Sequence, residues 1–185
     1  MQRDDLLVWV DLEMTSIQDV LVDHITEIAM VLTDKDLNIV AELPPIIIHV
    51  DREFYRSRKR PEMQNLPLQD QLMEASSAST VTAAQAEQQL LDFLKQHVSP
   101  QSAPLCGNSI HMDKHFLRIQ MRSLNDYLFY RCIDVSSIKE LARRWAPALY
   151  EEAERRKGEK PHRARADILK SIEELKFYRE NLFKM

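Results

Sequence analysis

The chain has 185 residues, 44% apolar and 29% charged, values that exclude a disordered or membrane-embedded protein and allow one sizeable buried core. Its formal charge of −4, from 25 basic and 29 acidic residues, argues against a grip on a long polyanion, because non-specific affinity grows with the number of phosphates neutralised. No apolar run approaches the roughly 20 residues that cross a bilayer, and Met1-Gln2-Arg3-Asp4-Asp5 lacks the apolar core of a secretory signal, so a cytoplasmic protein is expected, with one domain over residues 1–185.

Leu6 to Val10 form an unbroken apolar run into Asp11-Leu12-Glu13, the pattern of a buried strand ending in acid. Strand side chains alternate, so Asp11 and Glu13 share a face while Leu12 enters the opposite layer. Two like charges so close are costly unless a proton or a cation is shared; the plainer alternative is a strand end where two acids meet solvent. Ile25–Thr33 reads as a second strand. Leu37–Val50 carries a third, interrupted near Pro44-Pro45, and the short connections favour antiparallel pairing. Residues 51–79 are irregular and polar, and the basic run Arg52, Arg56, Arg58, Lys59, Arg60 reads as a solvated loop or short helix, against a substrate-facing patch.

Thr82 with Gln85 forms a capping box for a helix that buries Ala86, Leu90, Phe93, Leu94 and Val98. A short strand at Pro104–Asn108 precedes a helix through Phe116, Leu117, Met121 and Leu124, with Asp113 in its opening turn. The fifth strand is Tyr130–Val135. Ser137 and Glu140 offer a capping box for the next helix, which Pro147 closes. Glu151–Lys160 reads as an exposed loop, and the last helix, about Arg165 to Phe183, places Ile168, Ile172, Leu175 and Leu182 on one stripe. Three strands followed by alternating helices and strands describe an α/β domain with a mixed sheet. The two cysteines, Cys106 and Cys132, form no C-x-x-C pair and read as small core residues, and two glycines are too few for a glycine-rich phosphate loop.

Five residues carry candidate chemistry. Asp11, Glu13, Asp113 and Asp167 are acids at element ends, and His162 lies five residues before Asp167. In one helix that interval turns about 500°, which separates the two side chains, so His162 is expected ahead of the helix, free to swing toward the same cavity. A histidine there is suited to take a proton from water. Each residue also has a plainer reading: Asp113 as a partner of the helix macrodipole, and His162 as an incidental surface residue. The remaining histidines have no metal-ligand spacing, and only His111 stands close enough to Asp113 to stay open.

Asp11-Leu12-Glu13-Met14-Thr15, then Leu105-Cys106-Gly107-Asn108-Ser109-Ile110 with Asp113, resemble the first two motifs of the oligoribonucleases, a branch of the DEDDh family of 3′-to-5′ exonucleases. Tyr130-Arg131, Asp134-Val135-Ser136 and Lys139 to Trp145 resemble the following segment. His162-Arg163-Ala164 with Asp167-Ile168 resembles the third motif, and Phe177-Tyr178-Arg179 the tail. The resemblance implies a ribonuclease H-like fold, with a mixed five-stranded sheet whose first three strands are antiparallel. It implies removal of 5′-mononucleotides from the 3′ end of very short single-stranded RNA, dinucleotides especially. It further implies two Mg²⁺ or Mn²⁺ ions on Asp11, Glu13, Asp113 and Asp167, with His162 as general base, in a homodimer. Ser109, Arg131 and Ser136 would cap the 5′ phosphate, Tyr130 would come from the partner subunit, and Ile17 would wedge between the bases.

The chain departs from the family pattern at Ser16, where a glycine is usual, at Phe129, where a histidine is usual, and at Ala166, where an acid is usual. The segment from about Glu53 to Ala75 lacks the family's tryptophan-containing stretch. The alternatives are a DEDDh exonuclease acting on longer RNA or DNA ends, and a non-catalytic RNA-binding relative.

Overall fold

The computed structural model describes residues 2–58, 67–156 and 163–183. Strands β1 (Leu7–Met14), β2 (Ile25–Thr33) and β3 (Ile39–Ile47) come first, followed by helices α1 (Arg52–Arg58), α2 (Pro67–Ala78) and α3 (Ala83–His97). Then come β4 (Pro104–Gly107), α4 (Ile110–Gln120), α5 (Arg122–Tyr127), β5 (Phe129–Asp134), α6 (Val135–Trp145), α7 (Pro147–Arg156) and α8 (Ala164–Asn181). The five strands form one mixed sheet in the order β3-β2-β1-β4-β5; the first three are antiparallel, and β4 and β5 run parallel to β1.

Alternation along β1 divides the core. Val8, Val10 and Leu12 join Leu90 and Leu94 of α3 and Phe116 and Leu117 of α4 on one face. Trp9 joins Ala142 of α6, Ala153 of α7 and Ile168, Ile172 and Tyr178 of α8 on the other. Asp11 and Glu13 continue the Trp9 face, which brings them out of the core on the side that α8 covers. Trp9 satisfies its indole by donating from Nε1 to Thr33 Oγ1 at 2.9 Å, so the ring is buried without an orphaned donor.

Several local readings change. Pro44 and Pro45 lie within β3 and do not end it; β3 is the sheet's edge, where a missing N–H leaves no ladder bond unmade, and the prolines coincide with a register shift opposite Ile28 and Met30. Residues 151–156, read as loop, extend α7, and Pro147 opens that helix as well as following α6, a position where its absent N–H costs nothing. α6 is capped by Asp134, which accepts from Ser136 N, and not by Ser137 with Glu140. The helix expected through Met121 and Leu124 breaks at Met121 into α4 and α5. Cys106 is buried as expected, whereas Cys132 is exposed on β5, the other edge strand. The Thr82–Gln85 capping box forms as expected.

Gly107 ends β4 where helix and strand close in. A Cβ there would meet Ile110 Cδ1 at 2.9 Å and the Val10 carbonyl oxygen at 3.0 Å. Gly107→Ala is expected to lose about 1–3 kcal/mol of stability by overpacking, measured by urea unfolding.

Candidate active site at the end of the first strand

One oxygen from each of Asp11, Glu13 and Asp167 lies within 4.8 Å of the others. The first two reach the site because β1 alternates. Asp167 reaches it because it sits in the first turn of α8, whose Ile168 and Ile172 pack on the Trp9 layer. Asp113 stands beside this trio and does not belong to it. β4 is only four residues long and its pairing to β1 stops at Trp9, so Asp113 Oδ1 accepts from Leu12 N at 2.9 Å.

Burial, and then the charges of Asp113, Glu13 and Asp167, push the Asp11 carboxyl well above the usual carboxylate range. Burial raises Glu13 to about 7 against the pull of a Gln69 hydrogen bond, and raises Asp113 to about 7 against the Leu12 N–H. Such groups hold protons near neutrality or share a cation. An all-oxygen donor set of this spacing suits a hard divalent ion.

Three supporting roles escaped the sequence reading, although Arg163 stands within the third motif. Glu27 lies opposite Glu13 in the β1–β2 register and is fully buried. Arg163 grips it through Nε at 3.2 and 3.0 Å and through Nη2 at 2.9 Å, and Ala164 N donates to the same carboxylate at 3.4 Å. The start of α8 is thereby pinned to β2. The available signal was a lone acid inside a strand of apolar residues and threonines. Gln69 of α2, also buried, donates to Glu13 Oε2 at 3.4 Å from the segment that departs most from the family pattern.

Ile17, 43% exposed, sits on the β1–β2 connection, which Asp23 organises. Burial works to raise this carboxyl, but Arg58, the Asp19 N–H and Thr15 together hold it below its ordinary value. Arg58 donates to Asp23 at 2.7 and 3.1 Å, so this member of the basic run is an ion-pair partner. Ser16 is buried, and its Oγ accepts from Gln18 N at 3.2 Å. Its φ is not positive, so the backbone does not require the family's glycine.

A second cluster forms where α4 begins. Ser109 takes φ 51°, a left-handed conformation that lets its N–H donate to Asp134 Oδ1 at 3.0 Å and Ser136 Oγ at 2.9 Å. Its own Oγ lies 3.2 Å from Ser136 Oγ, and His111 Nδ1 is 3.4 Å from Asp134 Oδ2. Tyr130 and Arg131 are exposed on β5, where Arg131 Nε donates to Tyr130 Oη at 2.8 Å and the guanidinium lies 5.3 Å from the ring centre. His162 lies outside the described residues.

The exonuclease family model RNase_T matches residues 8–175. An oligoribonuclease of Hydrogenovibrio crunogenus is 45% identical over 186 residues, covering 99% of this chain and 97% of that protein. The chain belongs to the oligoribonuclease family. A Homo sapiens relative named mitochondrial oligoribonuclease is 46% identical over 178 residues, covering 96% of this chain and 73% of its own length. Exonuclease I shares the fold at a TM-score of 0.72 and 14% identity; 95% of this chain is covered, but the match spans only 41% of exonuclease I. A product-bound exonuclease I gives a TM-score of 0.67 at 13% identity, covering 97% of this chain and 44% of that one. The ribonuclease H-like fold expected of an oligoribonuclease relative is therefore present.

The raised carboxyls give the apo protein a defined pH response. Between the ordinary values of 3.8 and 4.5 and the folded values of about 7, the native state binds more protons than the unfolded chain, so stability falls as pH rises through that window. In EDTA, Tm is expected to decline from about pH 5 to about pH 8, and excess Mg²⁺ to flatten the decline, as read by thermal melts across pH.

Proposed function

We propose that this chain is a 3′-to-5′ exoribonuclease that degrades very short oligoribonucleotides, dinucleotides above all, to 5′-mononucleotides. The observation that carries the reading is the meeting of Asp11, Glu13 and Asp167, with Asp113 beside them, in a chain that matches oligoribonucleases along nearly its whole length. In this reading all 185 residues act as one exonuclease domain, and its site of action is the cytoplasm, which immunolocalisation in the native cell checks.

Asp11, Glu13, Asp113 and Asp167 would hold two Mg²⁺ or Mn²⁺ ions. When bound, these supply acidification of water and charge stabilisation at the phosphate. His162 takes the proton from the water that attacks phosphorus, the bond to the 3′ oxygen breaks, and a 5′-mononucleotide leaves. Glu27 and Arg163 hold the start of α8 so that Asp167 faces β1, and Gln69 orients Glu13. Ile17 wedges between bases, while Ser109, Arg131 and Ser136 cap the 5′ phosphate and exclude longer strands by sterics. The net charge of −4 supports a substrate held at few phosphates. The competing reading, an exonuclease on longer RNA or DNA ends, draws its support from the fold shared with exonuclease I.

A homodimer is part of the proposal, with Tyr130 of one copy completing the cap of the other. It is supported by the open edge of β5 and by large exposed side chains: Tyr130 at 69% on that edge, with Leu141 at 40% and Trp145 at 73% on α6.

A labelled RNA dinucleotide incubated beside a long strand of the same bases is expected to be consumed faster, in Mg²⁺ and not in EDTA; equal turnover of both would remove the short-substrate reading. Asp167→Asn is expected to fold and release no nucleotide, and His162→Ala to lose activity on the order of a hundredfold. Trp145→Glu is expected to shift the sedimentation coefficient toward the monomer.

A further inference from the structure

We propose that Asn108 is the positioning residue that sets the distance between the 5′-phosphate cap and the acid cluster, and so the preference for short substrates; this rests on the exoribonuclease reading. Asn108 follows Gly107 at the end of β4, the strand that lies between β1, which carries Asp11 and Glu13, and β5, which leads to Ser136. Its side-chain amide makes three bonds. Oδ1 accepts from Ser136 Oγ at 3.0 Å, and Nδ2 donates to Ser171 Oγ at 2.9 Å and Glu174 Oε2 at 3.0 Å. Ser171 Oγ donates in turn to the Asp167 carbonyl at 2.9 Å. A continuous path therefore runs from Ser109 N through Ser136, Asn108 and Ser171 to the backbone of Asp167.

The donor accounting gives the path a direction. Ser171 spends its hydrogen on Asp167 and Glu174 presents an accepting oxygen, so the amide must turn its NH₂ toward α8 and its oxygen toward Ser136. Ser136 then spends its single hydrogen on Asn108 and can only accept from Ser109 N. The Ser109 hydroxyl is left as the donor of the pair, 3.2 Å from Ser136 Oγ, free to turn to an arriving phosphate oxygen. One amide thus fixes both where the cap stands relative to α8 and which hydroxyl offers a hydrogen.

Asn108→Asp keeps the shape but turns an oxygen toward Ser171 and Glu174. The test compares the full-length wild-type protein with Asn108→Asp, reading equilibrium affinity for 5′-phosphorylated and 5′-hydroxyl diribonucleotides of one sequence, with Ca²⁺ in place of Mg²⁺. The kcat/KM for a p-nitrophenyl ester of a 5′-mononucleotide, which engages the acids but not the cap, is measured in Mg²⁺. Discrimination in favour of the 5′ phosphate is expected to fall about tenfold or more, while ester hydrolysis stays within about threefold of wild type. Unchanged discrimination, or loss of ester hydrolysis with discrimination intact, would overturn the proposal. If Asn108→Asp does not melt cooperatively, Ser171→Ala, which removes the link from Asn108 to the Asp167 carbonyl without adding charge and keeps the Glu174 bond, decides by the same criterion. A wild-type protein that neither discriminates nor hydrolyses dinucleotides would mark failure of the exoribonuclease reading itself.

Discussion

Negative charge crowded at the end of a buried strand is the constraint that the rest of the molecule accommodates. β1 must leave the core to present Asp11 and Glu13, yet the same face still carries Trp9 two residues earlier, fully buried under α8. The acids therefore stand half-buried, where desolvation is strong, and Asp167 and Asp113 add like charge from two helices. Such an arrangement opposes folding by itself and becomes favourable when positive charge joins it. A site built this way exchanges some apo stability for a strong, oxygen-rich pull on a divalent ion.

The surrounding structure holds the acids in place by buried polar bonds and not by apolar packing alone. Glu27 adds yet another negative charge near the cluster, but Arg163 compensates it at close range, and the pair locks the first turn of α8 to β2. On the other side, Asp23 and Arg58 tie the β1–β2 connection, and with it Ile17, to the end of α1. Both pairs join a fully buried carboxylate to a half-exposed arginine. That geometry limits the desolvation of the cation while leaving the acid dependent on its partner.

The mixed topology of the sheet places the two polar clusters side by side. β1, β4 and β5 run parallel, so their carboxyl ends lie together, and each ends in a polar group: Glu13 in β1, Asn108 just past β4, Asp134 in β5. Ligand chemistry gathers at the carboxyl ends of parallel strands because side chains and helix starts converge there without competing with the core. The parallel order also leaves β5 with an open edge, where Tyr130 and Arg131 reach solvent.

Much of this was legible in order along the chain. The apolar run into Asp11 and Glu13, the capping box at Thr82, the three antiparallel strands and the first-turn positions of Asp113 and Asp167 all follow from short-range periodicity and side-chain direction, which the residues themselves carry. What they do not carry is the identity of distant partners. Glu27 meets Arg163 across 136 residues, Asp113 finds Leu12 N across 101, and Asn108 bridges to Ser171 across 63, because each contact depends on how far β4 extends and where α8 lands on the sheet. The exposure of Cys132 and the survival of β3 through two prolines were likewise settled by which strands lie at the sheet's edges. The sequence by itself determined where the acids and the apolar stripes stand along each element and on which face they sit; the tertiary structure alone decided which charges and hydrogen bonds are shared, since burial and pairing energies exist only once the elements pack together.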